Sequence, residues 1–164
     1  MEACRILVVD DNQNIHRDFR KIIELAGARI SLVVLERDVL GDVVPPPEPA
    51  EFELAFAISG EAAAVLVKSA VASARPFAMA FVDMRMPGWD GLETAEQLWK
   101  LQPDLAVAFT SAYMDYSWNE VIERLKRPGL RFVPKPWSGS QILAVIHELR
   151  ARARGVGQHS MPSR

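Results

Sequence analysis

The fold is indicated by one stretch near the start of the chain, Cys-Arg-Ile-Leu-Val-Val-Asp-Asp at residues 4–11. A nearly continuous apolar run of this length, ended by polar residues, is typical of a strand buried on both faces of a parallel sheet. A half-exposed strand would instead alternate apolar and polar residues. The sequence holds four further runs of the same kind: Phe52 to Ile58, Ala78 to Val82, Leu105 to Phe109 and Arg131 to Val133. We therefore predict five strands.

Segments with helical periodicity separate these strands. Ile15, Phe19, Ile22 and Ala26 lie on one apolar stripe, and four later segments repeat the pattern. Strands that alternate with amphipathic helices predict an α/β fold with helices on both faces of a parallel sheet. Two helix starts carry capping pairs with the three-residue spacing that satisfies free backbone N–H groups: Asp90 with Glu93, and Ser138 with Gln141.

One connection is too long for a simple repeat of strand and helix. Residues 28–51 include a short apolar segment, Leu32 to Leu40, that could be helical, and four prolines among residues 45–49. Proline removes the backbone donor that a sheet needs, so we expect a surface insertion there. The expected organisation is one domain over residues 1–152, with this insertion after the first helix, and a flexible tail over residues 153–164.

Composition excludes several classes of protein. The chain has 164 residues, 49% of them hydrophobic, and 19 basic against 21 acidic side chains give a net charge of −2. A balance this close to neutral argues against direct nucleic-acid binding through bulk charge. A single cysteine, Cys4, permits no internal disulfide. Neither a signal peptide nor a run of about 20 apolar residues is present, so we expect a cytoplasmic protein without membrane insertion.

Polar residues follow the strands at the ends where ligands bind in parallel sheets. Asp10 and Asp11 follow the first strand, Asp83 the third and Lys135 the fifth, and the hydroxyls of Thr110 and Ser111 follow the fourth. In such a sheet all these strand ends lie at one edge. Neighbouring carboxylates repel each other unless a cation lies between them, and Mg²⁺ prefers oxygen ligands. An aspartate can also accept a phosphoryl group as an acyl phosphate.

These stretches resemble a known family, the receiver domains of two-component response regulators. The matching segments are Ile6 to Asn12, Phe81 to Gly91, Phe109 to Tyr113 and Phe132 to Trp137. The resemblance implies a flavodoxin-like, doubly wound five-stranded parallel sheet in the order 2-1-3-4-5 with five helices. It also implies phosphorylation on aspartate by a histidine kinase or a phosphotransfer protein. The expected cofactor is Mg²⁺, with Mn²⁺ as a substitute.

By position, the resemblance implies that Asp83 is the phosphoacceptor and that Asp10 and Asp11 place the metal ion. The backbone carbonyl of Arg85 is a further expected ligand, alongside the Asp83 carboxylate. Lys135 resembles the lysine that pairs with the phosphoryl oxygens, and its bond to the following proline is expected to be cis.

The resemblance also implies a switch. Thr110 and Ser111 compete for the role of switching hydroxyl, and Ser111 is favoured because the family places a small residue, here Ala112, directly after it. Phe132 resembles the aromatic switch residue that turns inward when the hydroxyl moves. Arg85 and Tyr113 are bulky residues beside the expected phosphoryl group, so we predict that they restrict water and lengthen the phosphorylated lifetime.

The expected function is a stand-alone phosphoaccepting response regulator, with no output domain and no enzymatic role of its own. It would act on a downstream protein target through the face formed by the fourth helix, fifth strand and fifth helix, and homodimer formation is left open. One alternative is a pseudo-receiver adaptor that binds without phosphorylation. Another is an aspartate-nucleophile phosphohydrolase, although such enzymes need an acid two positions after the nucleophile, where this chain has Arg85.

Overall fold

A computed structural model describes residues 2–27, 30–32, 51–112 and 117–156. The strands are β1 (Cys4–Val9), β2 (Ile30–Leu32), β3 (Phe52–Ala57), β4 (Met79–Asp83), β5 (Ala106–Ser111) and β6 (Arg131–Pro134). The helices are α1 (Gln13–Leu25), α2 (Gly60–Ala72), α3 (Gly91–Leu101), α4 (Trp118–Leu125) and α5 (Gly139–Val156).

All described strands pair in parallel in one sheet with the order β2-β3-β1-β4-β5-β6. The five predicted strands are β1, β3, β4, β5 and β6, and they have the predicted 2-1-3-4-5 order. The sixth strand, β2, was not predicted. It pairs with the first half of β3 and lies near the start of the segment predicted to be an insertion.

The sheet separates two apolar clusters, because successive side chains of a strand point to opposite faces. One face carries Leu7 and Val9 of β1 and Val107 and Phe109 of β5, and it packs against α2, α3 and α4. We call this the α2–α4 face. The other face carries Ile6, Val8 and Phe81 among others and packs against α1 and α5. We call this the α1/α5 face. Burial on both sides explains why these strands lack alternation in sequence.

The predicted helix caps are present. The Asp90 carboxylate accepts a hydrogen bond from the Glu93 N–H at 2.8 Å. Ser138 and Gln141 satisfy each other's backbone donors at 2.7 and 3.2 Å. Among the described residues, no helix is both long and apolar enough to cross a membrane.

Two features differ from the sequence-based expectation at the ends of segments. Residues 153–156, assigned to the tail, form the last turn of α5. An ion pair at i,i+4 spacing between Glu148 and Arg152 at 3.0 Å supports this end of the helix. Leu32, expected to begin a short helix, is instead the last residue of β2. The rest of that expected helix, the four prolines and residues 157–164 lie outside the described residues.

Candidate functional site

Three of the predicted site residues meet at the carboxyl ends of β1, β4 and β6. Asp10 follows β1 directly, Asp83 is the last residue of β4, and Lys135 follows β6. The Asp10 N–H donates to the Ala57 carbonyl oxygen at 3.0 Å, which ties the end of β1 to the end of β3. Parallel pairing therefore brings together residues that are up to 125 positions apart in the sequence.

Lys135 bridges the two buried carboxylates. Its Nζ lies 2.8 Å from Asp10 Oδ2 and 3.3 Å from Asp83 Oδ1. The backbone N–H of Lys135 donates to the Ser111 carbonyl oxygen at 2.7 Å. The Lys135–Pro136 peptide bond is cis, as predicted. The lysine is thus held by its backbone as well as by its charge, with the ammonium group aimed at the phosphoacceptor candidate.

Asp10, Asp11 and Asp83 form an acidic cluster in which one oxygen of each carboxylate lies within 4.8 Å of the others. Asp10 and Asp83 are buried and Asp11 is exposed. The Asn12 N–H donates to Asp10 Oδ1 at 2.9 Å and fixes the orientation of that carboxylate. An all-oxygen donor set, open to water on the Asp11 side, fits a hard divalent cation that keeps part of its water shell.

Burial raises the pKa of Asp83 to about 6, and the neighbouring Asp10 charge adds to this shift. The ammonium group of Lys135 acts in the opposite direction, through its charge and its hydrogen bond, and the Asp11 charge makes a smaller upward contribution. The carboxylate form of Asp83 therefore depends on positive charge nearby. A divalent cation in the cluster would favour this form strongly, which supports the fit of the site to Mg²⁺.

The two residues with candidate switching hydroxyls, Thr110 and Ser111, are the last two residues of β5 and lie on opposite faces of the sheet. Thr110 pairs in register with Asp83, and the Thr110 carbonyl oxygen accepts from the Met84 N–H at 2.8 Å. Ser111 is the last strand residue and pairs in register with Pro134. By alternation Thr110 lies at a position of the α1/α5 face, and Ser111 lies at a position of the α2–α4 face with Phe109. Both residues are buried.

Phe132 belongs to the same face as Ser111. It is half-buried against the α2–α4 cluster, and its ring centroid lies 5.6 Å from that of Trp118 at the start of α4. Among the described residues, Phe132 is thus placed to link the end of β5, through its neighbour β6, to the surface of α4.

Of the two residues predicted to lengthen the phosphorylated lifetime, Arg85 and Tyr113, the structure describes only Arg85. Arg85 follows Asp83 by two positions and is exposed. Ala112 is exposed directly after β5. Tyr113 lies outside the described residues.

The turn after Asp83 depends on glycine. Gly88 has a φ of +78°, in the left-handed region. At Gly91 a Cβ atom would lie 2.6 Å from the Asp83 carbonyl oxygen and 2.7 Å from Met84 Cα, closer than real contacts allow. The Gly91 N–H also donates to the Met84 carbonyl oxygen at 3.0 Å. The absent side chain thus lets α3 begin directly against the end of β4.

His16, a polar residue outside the apolar stripe predicted for the first helix, is nevertheless buried. His16 is only 8% exposed and stacks on Phe56, with ring centroids 4.9 Å apart. Burial lowers its pKa, against the opposing effect of backbone and charge interactions with Asp10. His16 lies at i+3 and i+7 spacing from Phe19 and Ile23, the other buried residues of α1, and this pattern was the available signal.

Comparison with known proteins agrees with this geometry. The sequence matches the family described as "Response regulator receiver domain" over residues 48–147, more than half of the chain. The matched part contains β3 to β6 and the first half of α5, and with them Asp83, Ser111 and Lys135. A comparison with curated proteins gives no match.

Solved structures share the fold at low sequence identity. A response regulator receiver domain protein (CheY-like) from Methanospirillum hungatei JF-1 is 20% identical, with 94% of this chain and 98% of that chain covered and a TM-score of 0.67. A two component transcriptional regulator AraC from Clostridium phytofermentans ISDg is 24% identical, with 96% and 100% covered and a TM-score of 0.67. A response regulator receiver protein from Sinorhizobium medicae WSM419 is 19% identical, with 93% and 98% covered and a TM-score of 0.64.

Proposed function

Because the chain belongs to the response regulator receiver domain family, we propose that it is a phosphoaccepting switch in two-component or phosphorelay signalling. The phosphoryl group is transferred to Asp83 from a phosphohistidine of a histidine kinase or a phosphotransfer protein. The observation that carries this proposal is the contact of Lys135 with both Asp10 and Asp83, at 2.8 and 3.3 Å, beside the three-aspartate cluster.

In the proposed reaction, an Asp83 carboxylate oxygen forms a bond to phosphorus while the bond from phosphorus to the donor nitrogen breaks. An acyl phosphate forms on Asp83, and the electron pair leaves with the imidazole nitrogen. Asp10, Asp11 and the Arg85 carbonyl would hold Mg²⁺, or Mn²⁺ in its place. When bound, the cation neutralises charge on the phosphoryl oxygens. Lys135 supplies a second positive charge and keeps Asp83 ionised in spite of its burial.

The switch then acts through the α2–α4 face. The Ser111 hydroxyl donates to a phosphoryl oxygen, and Phe132 moves inward into the space that this change opens. The Phe132–Trp118 contact passes the change to α4. A downstream protein target binds the face formed by α4, β6 and α5, and we expect the protein to act in the cytoplasm without direct nucleic-acid contact.

The test is phosphorylation by a small phosphodonor in the presence of Mg²⁺, measured by intact mass. The wild type should gain one phosphoryl group, and Asp83→Asn should gain none because an amide oxygen is a poor nucleophile. Asp104→Asn, an exposed aspartate after α3, is the matched control and should label normally. A wild type that takes up no phosphoryl group would identify a pseudo-receiver adaptor instead. Continuous hydrolysis of the donor with many turnovers would identify a phosphohydrolase, an alternative that Arg85 disfavours.

We propose further that Arg85 and Tyr113 lengthen the life of the acyl phosphate by restricting water. Arg85→Ala and Tyr113→Ala should each speed the decay of phosphorylated Asp83 by roughly two- to tenfold, which corresponds to about 0.4 to 1.4 kcal/mol in the barrier. Decay can be followed by intact mass after removal of the donor. Unchanged rates in both variants would contradict the proposal.

A further inference from the structure

The outer face of α2 has few charges for an exposed helix. Its outward positions Glu61, Val65, Lys68 and Ala72 follow at spacings of four, three and four residues, so they form one stripe. Val65 is 69% exposed, and Ile58, just before the helix, is 58% exposed. An apolar centre with a single charge on either side is unusual for a solvated helix face, which is normally polar.

The stripe is complementary to a second copy of itself. Consider two α2 helices packed antiparallel with the two-fold axis at Val65, so that positions equally far before and after Val65 face each other. Val65 then meets its own copy. Glu61 faces the position beside Lys68, within reach of the long lysine side chain. A two-fold interface needs this kind of self-complementarity.

The two charges are available for such a contact. Within the described part of the chain, neither Glu61 nor Lys68 makes an ion pair, and the one hydrogen bond of Glu61, from the Trp89 N–H, is long at 3.3 Å. The flanking residues Ala62 and Ser69 are small, so the two helix backbones could approach closely. α4 differs, because its eight residues carry Glu120, Glu123 and Arg124.

We infer that α2 is a homodimer interface, formed by Val65 at its centre and by reciprocal Glu61–Lys68 ion pairs. The inference does not depend on phosphorylation, since none of these residues belongs to the acidic cluster. One helix pair buries less than the roughly 1,200–2,000 Å² of a standard stable interface, so the dimer is weak. We expect a dissociation constant on the order of 100 μM.

The test is sedimentation velocity of the full chain over concentrations from about 10 μM to about 1 mM, a range that brackets this value. The wild type should shift from monomer to dimer, and the shift should weaken at high salt because salt screens exposed ion pairs. Val65→Asp should remain monomeric. Glu61→Lys and Lys68→Glu should each raise the dissociation constant about tenfold, since each turns two attractive pairs into repulsive ones. Circular dichroism confirms that each variant is folded.

Charge exchange provides the decisive comparison. The double variant Glu61→Lys/Lys68→Glu should dimerise like the wild type. An equimolar mixture of the two single variants should form heterodimers, because every facing pair is then opposite in charge. Glu123→Lys on α4 and Lys100→Glu on α3 are matched exposed controls and should leave association unchanged. A wild type that stays monomeric at about 1 mM, or a dimer that withstands the single reversals, would overturn the inference.

Discussion

Asp83 is balanced between two opposing influences. Burial and the Asp10 charge raise its pKa to about 6, and Lys135 limits the rise. A carboxylate held in this way is ionised at neutral pH but destabilises the folded protein there, because the unfolded chain would release the proton near pH 4. Such a cost at a reactive group is common, since function and stability make different demands on the same side chain.

A pH dependence of stability follows from this raised pKa. In metal-free buffer, the folded state binds the Asp83 proton more tightly than the unfolded state, so its contribution to stability falls as the pH rises from about 4 to about 6. Asp83→Asn should remove that fall and stabilise the protein at pH 7.5. A pKa unit corresponds to about 1.4 kcal/mol, and solvent at the open edge screens part of the effect, so we expect a gain of about 1 to 2 kcal/mol.

Urea unfolding in EDTA at a series of pH values measures this difference. Asp104→Asn controls for the general effect of removing a carboxylate from the surface. Parallel stability curves for the wild type and Asp83→Asn across pH 4 to 7.5 would contradict a raised pKa.

Ser111 and Thr110 can be separated by their positions on opposite faces of the sheet. Ser111→Ala should still accept a phosphoryl group on Asp83 but lose the coupling to Phe132, because the proposed hydrogen bond to the phosphoryl group is gone. Thr110→Val, which keeps the shape of the side chain, should keep the coupling. The readout is the ¹⁹F resonance of Trp118 in 5-fluorotryptophan-labelled protein, assigned with Trp118→Phe. A phosphorylation-dependent shift that survives in Ser111→Ala but disappears in Thr110→Val would assign the switch to Thr110.

The sequence allowed the positions of Asp10, Asp83 and Lys135 to be predicted, because each one directly follows or ends an apolar run. The burial of His16 was missed for a physical reason. Its spacing places it on one face with Phe19 and Ile23, but a polar side chain there is buried only if another element covers it. The deciding contact, the ring of Phe56, comes from β3, some 40 positions later in the chain.

At the scale of elements, the junction of β4 and α3 depends on Gly91. Gly91→Ala would place a methyl group against the Asp83 carbonyl oxygen, and backbone atoms cannot move aside as a flexible side chain can. We expect a loss of about 1 to 3 kcal/mol, the usual cost of overpacking. Thermal unfolding measures it. Gly155→Ala in the last turn of α5 is the matched control, because nothing lies within 4 Å of its added carbon. Equal unfolding temperatures for both variants would show that the junction can adjust.

Five strands and five helices were predictable because each strand carries a run of apolar residues and each helix carries an apolar stripe of helical period. β2 was not predicted, because its residues lie in the long connection that was interpreted as a surface insertion. Its strand character comes from pairing with β3, which is a tertiary interaction. The end of α5 was placed too early for a similar reason. The run Arg152 to Arg154 has no apolar residue larger than alanine, so helical propensity and the Glu148–Arg152 pair decide its conformation.

At the scale of the whole molecule, Mg²⁺ should stabilise the fold, because the three aspartates come from the ends of two different strands and meet only in the folded state. At a metal concentration ten times the dissociation constant, the free energy of unfolding should rise by about 1.4 kcal/mol. The unfolding temperature in Mg²⁺ and in EDTA measures this gain. Asp11→Asn should lose most of it, and Asp18→Asn, an exposed aspartate on α1, should keep it. A gain of equal size in Asp11→Asn would place the ion elsewhere.

The sheet also separates the proposed site residues into two groups, one on each of its faces. Asp83 and Lys135 lie at positions of the α1/α5 face, whereas Ser111 and Phe132 lie at positions of the α2–α4 face. In the proposed function, the residue that is phosphorylated and the residues that respond to it therefore lie over separate cores. If the proposal holds, substitutions in one core alter how readily Asp83 is phosphorylated, while those in the other alter the surface that is offered to a partner. The two properties can be tuned independently, by selection or by design, within a single small domain.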